Sequence, residues 1–228
     1  MKKTAFTLAE VVITVGIIGI VAALTMPSLI TKYREKELVV QTKKAYSIIS
    51  QAFLMMRNES EMPNTDNIID ALAPYIKIAK NCGRQADLGC FAQNSSYQNG
   101  TPSKIDSRTD ISKIVLADGM SVSFQINDVD CKDSVSHGTV KNICGWMLID
   151  ANGTRKPNQY GVDTFEILIL SDRILPYGTQ DDAISFPERC NKNTAGGGNG
   201  CAAWVIINEN LDYLHCDDLS WNGKTKCK

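Results

Sequence analysis

The 228-residue sequence lacks the short motifs that usually carry catalysis or zinc binding. It contains no H-E-x-x-H, G-x-S-x-G or C-x-x-C pattern. The glycine-rich run at 196–200 is followed by cysteine, not by the Lys-Ser/Thr of a phosphate-binding loop. Only two histidines are present, His137 and His215. These absences leave few nucleophile–base arrangements, so we expect a protein that is not an enzyme.

Cysteine is missing from the first 81 residues. An even number of cysteines confined to the rest of the chain indicates disulfides formed in an oxidising compartment. We favour pairing between sequence neighbours, because each such bridge would close a loop that contains Gly, Asn or Ser. Free thiols and metal ligands are the alternatives to disulfides. Because disulfides are favoured, we predict no metal site at the cysteines. The favoured pairs are Cys82–Cys90, Cys131–Cys144, Cys190–Cys201 and Cys216–Cys227.

Charge is absent from residues 11–31, which are 21 uncharged positions in a row. A helix needs roughly 20 apolar residues to cross a bilayer. Lys2 and Lys3 precede the run, and Glu10 lies at its start, where a lone carboxylate is costly and therefore points to a function. A plain anchor would not need Glu10, and a secretory signal has a shorter apolar stretch. Both remain alternatives to the interpretation that follows.

The N-terminal segment contains a set of residues at defined spacing: Lys2, Lys3, Ala5, the run Phe6-Thr7-Leu8-Ala9-Glu10, Gly19 and Pro27. In residue types and spacing together, it resembles the processing and assembly signal of type IV pilins and type II secretion pseudopilins. The resemblance implies cleavage after Ala5, N-methylation of Phe6, and a role for Glu10 in filament assembly. The family usually has glycine before the cut, and alanine is the nearest residue in size.

The resemblance also implies a domain plan and a set of partners. Residues 1–5 would be a leader peptide. Residues 6–60 would form a long helix, embedded in the membrane over about 9–31, and residues 61–228 a disulfide-stapled head. The expected partners are a prepilin peptidase/methyltransferase, homologous pilin or pseudopilin subunits, and the inner membrane. The implied fold class is α+β, with the long helix packed on a small antiparallel sheet.

Two signals disagree about the side of the membrane on which the head lies. Lys32, Arg34 and Lys36 follow the apolar run and outnumber Lys2 and Lys3. By the positive-inside rule, the bulk of the chain would stay in the cytoplasm. The cysteines require an oxidising side, and we give them priority. We therefore expect a single-pass protein of a bacterial inner membrane, with its head on the periplasmic or extracellular side.

Beyond Pro27 the sequence predicts that the helix continues to about Asn58, because apolar residues recur at steps of three and four. Met62-Pro63 would end it. A second helix is predicted over 67–73, capped by Thr65 or Asp66, with residues 75–80 as its continuation. The apolar stripe of the first helix comprises Leu38, Thr42, Ala45, Ile49, Ala52 and Met56.

Strands are predicted in the second half of the chain. Asp118-Gly119 between two apolar runs is a hairpin signal. Residues 81–110 are rich in Asn, Ser, Gly and Gln and are predicted to be a stapled loop region. Residues 202–208 fit either a strand or a helix. The four predicted strands are 113–117, 120–127, 146–150 and 164–170.

Asp150, Asn152 and Asp163 surround an Asn-Gly turn and could supply oxygen ligands. Calcium takes six to eight such ligands. The segment lacks the full spacing of a calcium loop, so a simple turn in which Gly153 adopts positive φ is favoured and calcium is the alternative. We predict no resident cofactor. Residues 61–228 hold 16 basic and 21 acidic side chains, which argues against nucleic acid as a partner.

Three hypotheses about function follow. The first, which we favour, is a structural subunit of a type II secretion pseudopilus or type IV pilus. The second is a minor pilin that acts as a binding module in adhesion or DNA uptake. The third is an enzyme tethered to the membrane, which would need a pocket with clustered ionisable groups.

Overall fold

The computed structural model describes residues 7–132, 139–180 and 186–227 of the chain. The chain consists of two compact units, Met1–Glu37 and Leu38–Lys228. The helices are α1 (Leu8–Glu59), α2 (Ile68–Leu72) and α3 (Ala202–Asn208), with short 3-10 turns at Ile105–Ser107, Asn199–Cys201 and Asp212–Leu214. The strands are β1 (Ile78–Gly83), β2 (Ser112–Leu116), β3 (Ser121–Ile126), β4 (Ile143–Asp150), β5 (Thr164–Leu170) and β6 (Ile174–Pro176).

In the first unit, α1 begins at Leu8 and includes Pro27 in its interior. Proline cannot donate a backbone hydrogen bond, yet the helix continues past it, as the sequence predicted. None of the described residues before Leu38 is buried. The first part of α1 is therefore an apolar helix that has no core of its own within this chain.

In the second unit, the remainder of α1 packs against the sheet through the predicted stripe. The residues of the stripe are all buried, and Val39 and Phe53 join them. Two polar side chains of α1 also reach the far edge of the sheet. The Tyr46 hydroxyl donates to the Ile174 carbonyl oxygen (3.2 Å), and Arg57 Nε donates to the Ser171 carbonyl oxygen (2.9 Å). The stripe prediction is confirmed.

The six strands form one antiparallel sheet in the order β1-β2-β3-β4-β5-β6, so each strand pairs with its sequence neighbour. The apolar face of the sheet belongs to the same core as the α1 stripe; it includes the cross-strand row Ile114, Val122, Ile149 and Phe165. The β2–β3 connection is the predicted hairpin, and Gly119 has φ +87° there. The α+β prediction, with a long helix and an antiparallel sheet, is confirmed.

The opposite face of the sheet, here called the outer face, is covered in part by the loop that follows β1. Lys113 of β2 is fully buried, and its ammonium donates to the carbonyl oxygens of Asp106 (2.7 Å) and Arg108 (2.6 Å). The Asp106 carboxylate in turn accepts backbone N–H bonds from residues 89–91. Burial lowers the pKa of Lys113. These contacts, with the Cys82–Cys90 bridge, hold the loop on the sheet.

Four disulfides join the sequence neighbours favoured above. The C-terminal region is also held by stacked aromatic rings. Phe186 lies 3.9 Å from Trp204 between ring centroids, and Trp204 lies 5.2 Å from Trp221. In the segment beyond β6, these bridges and rings add to the short helix α3 and its flanking 3-10 turns.

Several local predictions were wrong. Residues 75–80 do not continue α2, because β1 begins at Ile78. This strand lies at the edge of the sheet and pairs with β2 alone. Three of its residues are exposed, so its sequence lacks the apolar alternation that would predict a strand. Neither Thr65 nor Asp66 caps α2, because its N-cap residue is Asn67, which makes no side-chain cap bond. Asn64 Oδ1 accepts the backbone N–H bonds of Asp66 and Asn67 in the turn that precedes the helix. The three-residue β6 was missed, and residues 202–208 are a helix.

Candidate functional site

The predicted cleavage position, Ala5 and Phe6, lies outside the described residues. The description begins at Thr7, one residue beyond the predicted new N-terminus. The cut and the N-methylation therefore stay predictions. The part of the candidate site that the structure describes starts with the first turn of α1.

Thr7 and Glu10 form a capping box at the start of α1. The Thr7 backbone N–H donates to Glu10 Oε2 (2.8 Å), and the Glu10 backbone N–H donates to Thr7 Oγ1 (3.3 Å). The Thr7 hydroxyl also donates to Glu10 Oε2 (2.9 Å). Such reciprocal bonds satisfy donors that a helix start leaves without partners. Glu10 thus has a local role within its own chain, through one carboxylate oxygen.

Every hydroxyl in the uncharged run bonds to the helix backbone. Thr14 donates to the Glu10 carbonyl oxygen (2.7 Å), and Thr25 donates to that of Val21 (2.9 Å). Ser28 donates to the Thr25 carbonyl oxygen (2.9 Å), and Thr31 donates to that of Pro27 (3.0 Å). In hydrocarbon, polar groups must find partners within the protein. These four side chains meet that requirement without a neighbouring subunit.

The large apolar side chains of this run are exposed. Leu24, for example, is 76% exposed and Leu29 is 69% exposed. Gly19 would have no neighbour within 4 Å if it carried a Cβ. Among the described residues, α1 is the one helix that is long and apolar enough to cross a membrane, by length and composition. An apolar surface of this size needs lipid or partner helices to cover it.

The structure brings Asp150, Asn152 and Asp163 together at the end of β4 and the start of β5. Asp163 Oδ2 accepts from Asn152 Nδ2 (3.1 Å) and from the Asn158 backbone N–H (2.7 Å). Asp163 Oδ1 accepts from the Gln159 backbone N–H (2.6 Å). These bonds hold Asp163 as an acceptor on both oxygens and fix the turn that joins the strands.

The predicted Asn152-Gly153 turn is confirmed. Gly153 has φ +69°, a conformation that favours glycine. A Cβ at this position would also lie 2.3 Å from the Gly119 carbonyl oxygen, so a larger residue would collide with the β2–β3 hairpin. Gly153 thus allows two turns to approach each other beside the acidic pair.

Burial raises the pKa of Asp150 well above its usual range, and the charge of Asp163 raises it further. Burial likewise raises the pKa of Asp163, although the hydrogen bonds that its carboxylate accepts act to lower this pKa. Ser121 pairs with Asp150 in the sheet register, and its hydroxyl is buried without a partner among the described residues, as is Asn152 Oδ1. Such a cluster can share a proton or accept a cation.

No group of three or more His, Cys, Asp or Glu side chains in the described residues is arranged to hold a metal. The side-chain oxygen donors at the turn come from two carboxylates, one amide and the hydroxyls of Ser121 and Thr164, whereas calcium takes six to eight oxygen ligands. His215 is described, whereas His137 lies outside the described residues.

Two residues of these sites were missed from the sequence. The partnership of Thr7 with Glu10 follows the S/T-x-x-E spacing of a capping box, so the signal was present in the sequence. Ser121 carried no such signal, because its proximity to Asp150 depends on the pairing of β3 with β4.

We found no match to this chain among protein-family models, curated proteins or solved structures.

Proposed function

We propose that this protein is a structural subunit of a pilus-like filament, either a type II secretion pseudopilus or a type IV pilus. A peptidase would cut after Ala5, and the apolar part of α1 would hold the subunit in a bacterial inner membrane until it joins the filament. The proposal rests on the resemblance of the N-terminal segment together with the geometry of α1.

The observation that carries the proposal is the surface of α1 before Leu38. Its apolar side chains are exposed, and the four hydroxyls between Val11 and Thr31 bond to the helix backbone. The polar groups of such a helix have partners within the helix, both in lipid and in a bundle of like helices. It can therefore leave the membrane for a filament without losing hydrogen bonds.

Glu10 would set the register between subunits. After the cut, Phe6 carries a free amine, and methylation would keep its positive charge. This cation and the Glu10 carboxylate are both costly in hydrocarbon, and the cost is offset only when they pair. The amine of an incoming subunit would bind Glu10 of a docked one. The Thr7–Glu10 cap uses one carboxylate oxygen, so the cap and this pairing are compatible.

The head would lie on the periplasmic or extracellular side, since its four disulfides need an oxidising compartment. Its partners would be the processing peptidase/methyltransferase and other subunits with similar helices. The excess of acidic residues in the head makes nucleic acid an unfavourable partner. A second candidate function, a minor pilin with a binding role, is favoured by the groove described in the next section.

Intact-mass spectrometry of protein purified from membranes tests the proposal. We expect a mass that lacks residues 1–5 and includes one methyl group on Phe6. A chain that retains Met1, or one that is cut near Ala23, would refute the assignment to this class of filament subunits. An Ala5→Gly variant is the matched control, because it restores the family's usual residue and should be cut at the same bond.

A further inference from the structure

A groove of about 250 Å³ lies on the outer face of the sheet. Its floor is formed by side chains that point away from α1. Gln125 of β3 pairs with Trp146 of β4, and the next row places Ser123 opposite Leu148 and Leu148 opposite Glu166 of β5. Strand alternation therefore brings polar and aromatic groups to one surface.

Aromatic rings form the sides of the groove. Trp146 packs against a small apolar cluster that contains Leu168 and Tyr177. Tyr97 and Tyr160 belong to a different cluster, and their ring centroids lie 4.6 Å apart with an interplanar angle of 31°. The groove thus separates two apolar clusters on the outer face. Tyr and Trp offer a flat apolar surface together with a polar group, which suits ligands of mixed character.

Charges in the groove oppose one another. Arg108 lines it, but its guanidinium already donates to both oxygens of Asp110 (2.9 and 2.6 Å) and to Gln125 Oε1 (2.8 Å). Glu166 lines the same space with a carboxylate. Glu166 likewise has an interaction partner, so neither charged group is left unpaired for an ionic ligand. The charge balance favours a neutral ligand.

The amide side chains of the groove suit a hydrogen-bonding ligand. Gln125 and Asn199 both line it. Asn and Gln side chains supply both donors and acceptors, which matches a ligand that has hydroxyl groups on several sides.

We propose that this groove binds a neutral sugar ring, such as a hexose or an N-acetylhexosamine at the end of a glycan. The apolar face of the ring would lie against an aromatic side chain, and its hydroxyls would bond to Gln125, Asn199 and Glu166. The volume is below the about 300 Å³ at which sites for drug-sized ligands begin, which suits a ligand as small as a single sugar ring. All of these residues belong to the unit Leu38–Lys228, so this inference does not depend on filament assembly.

The test uses the full chain in nanodiscs of phosphatidylethanolamine and phosphatidylglycerol, because sugar-based detergents would compete. The probes are the methyl glycosides of glucose, galactose, mannose, N-acetylglucosamine and N-acetylgalactosamine. Choline and sialic acid serve as cationic and anionic comparisons. Saturation-transfer-difference NMR reports contact, and tryptophan fluorescence gives the dissociation constant.

We expect at least one neutral glycoside to saturate with a dissociation constant on the order of 1 mM or tighter. Gln125→Leu and Trp146→Leu should each weaken it by about tenfold or more, whereas Gln51→Leu on α1 makes the same chemical change elsewhere and should leave it unchanged. Thermal melts check folding. Should Trp146→Leu unfold the head, Gln125→Leu alone decides.

Three outcomes would overturn the inference. The first is no saturation by any neutral glycoside up to about 100 mM. The second is binding of choline or sialic acid in preference to all neutral sugars. The third is sugar binding that the folded Gln125→Leu variant retains at full strength, since the ligand would then lie elsewhere.

Discussion

Asp150 and Asp163 form a buried acidic pair, and the pair has a consequence for stability. Burial raises the pKa of Asp150 first, and the neighbouring charge of Asp163 adds to the shift. A carboxyl whose pKa is higher in the folded state binds its proton more tightly there than in the unfolded chain. Its stabilising effect is complete below the unfolded pKa and is lost as the pH rises through the folded pKa.

Asp150→Asn should therefore stabilise the protein increasingly as the pH rises. The amide oxygen can still accept from the Thr164 hydroxyl, while the charge disappears. Relative to the unchanged protein, we expect little difference at about pH 4 and a gain at about pH 8 of roughly 1.4 kcal/mol for each unit of pKa shift that the substitution removes. Chemical denaturation at a series of pH values measures this difference.

Asp70→Asn, on the exposed surface of α2, is the control for the same change of side chain. A stability difference for Asp150→Asn that does not grow with pH would contradict the assignment. Repeating the denaturation with calcium and then with a chelator separates the two interpretations of the turn. Calcium that stabilises the unchanged protein at high pH, but not Asp150→Asn, would indicate a cation site; equal stability in both media favours the plain turn.

At the scale of the secondary-structure element, Glu10 has two roles at the start of α1 that substitutions can separate. One is the capping box with Thr7, and the other is the proposed pairing of its charge with the Phe6 amine of another subunit. Thr7→Val removes the hydroxyl of the capping box and should cost the helix start about 0.5–2 kcal/mol, because its donors lose a partner. Glu10→Gln keeps an acceptor for Thr7 but removes the negative charge. We expect filaments from Thr7→Val and none from Glu10→Gln, as measured by immunoblotting of filaments sheared from cells.

The membrane fraction provides the control for this comparison, since both variants should be made, inserted and cut to the same extent. Normal filaments from Glu10→Gln would show that the cap, not the charge, is what Glu10 contributes. Glu10→Val, which loses the carboxylate's bonds to Thr7 as well as the charge, should resemble Glu10→Gln if pairing with the Phe6 amine governs assembly.

Elements with a strong apolar signal could be predicted from the sequence. The stripe of α1 was predicted because its apolar residues recur with the helical period and face one core. Strands β2–β5 were predicted as short apolar runs, because most of their residues are buried whichever face of the sheet they lie on. β1 and β6 were not, because both lie at edges of the sheet. An edge strand is exposed on one side or is very short, so its sequence carries little periodic signal.

The candidate sites differ in the same way. The oxygen cluster of Asp150, Asn152 and Asp163 could be suggested from the sequence, because its members lie within one turn region. The groove on the outer face could not. It combines Tyr97 from a loop, Gln125 from β3 and other residues up to Asn199, and only strand register brings them together.

At the scale of the whole molecule, the two units differ in how their apolar residues are covered. In Met1–Glu37 the large apolar side chains are exposed, whereas in Leu38–Lys228 they form a core that begins with Leu38 itself. The four disulfides all lie in the second unit. The hydrophobic free energy of folding therefore comes from the second unit, whereas the apolar side chains of the first are not covered by the described residues.

A chain that begins at Tyr33 should consequently fold without lipid. None of the described residues before Leu38 is buried, so their removal takes nothing from the core of the head. We expect a soluble, oxidised protein with one cooperative thermal transition, whereas the full chain should require lipid or detergent to stay dispersed. Reduction of the fragment should lower its stability by about 2–4 kcal/mol for each bridge that opens. A fragment that aggregates or melts without cooperativity even when all four disulfides are formed would show that residues 1–32 contribute to folding of the head, and the division into two independent units would then be wrong.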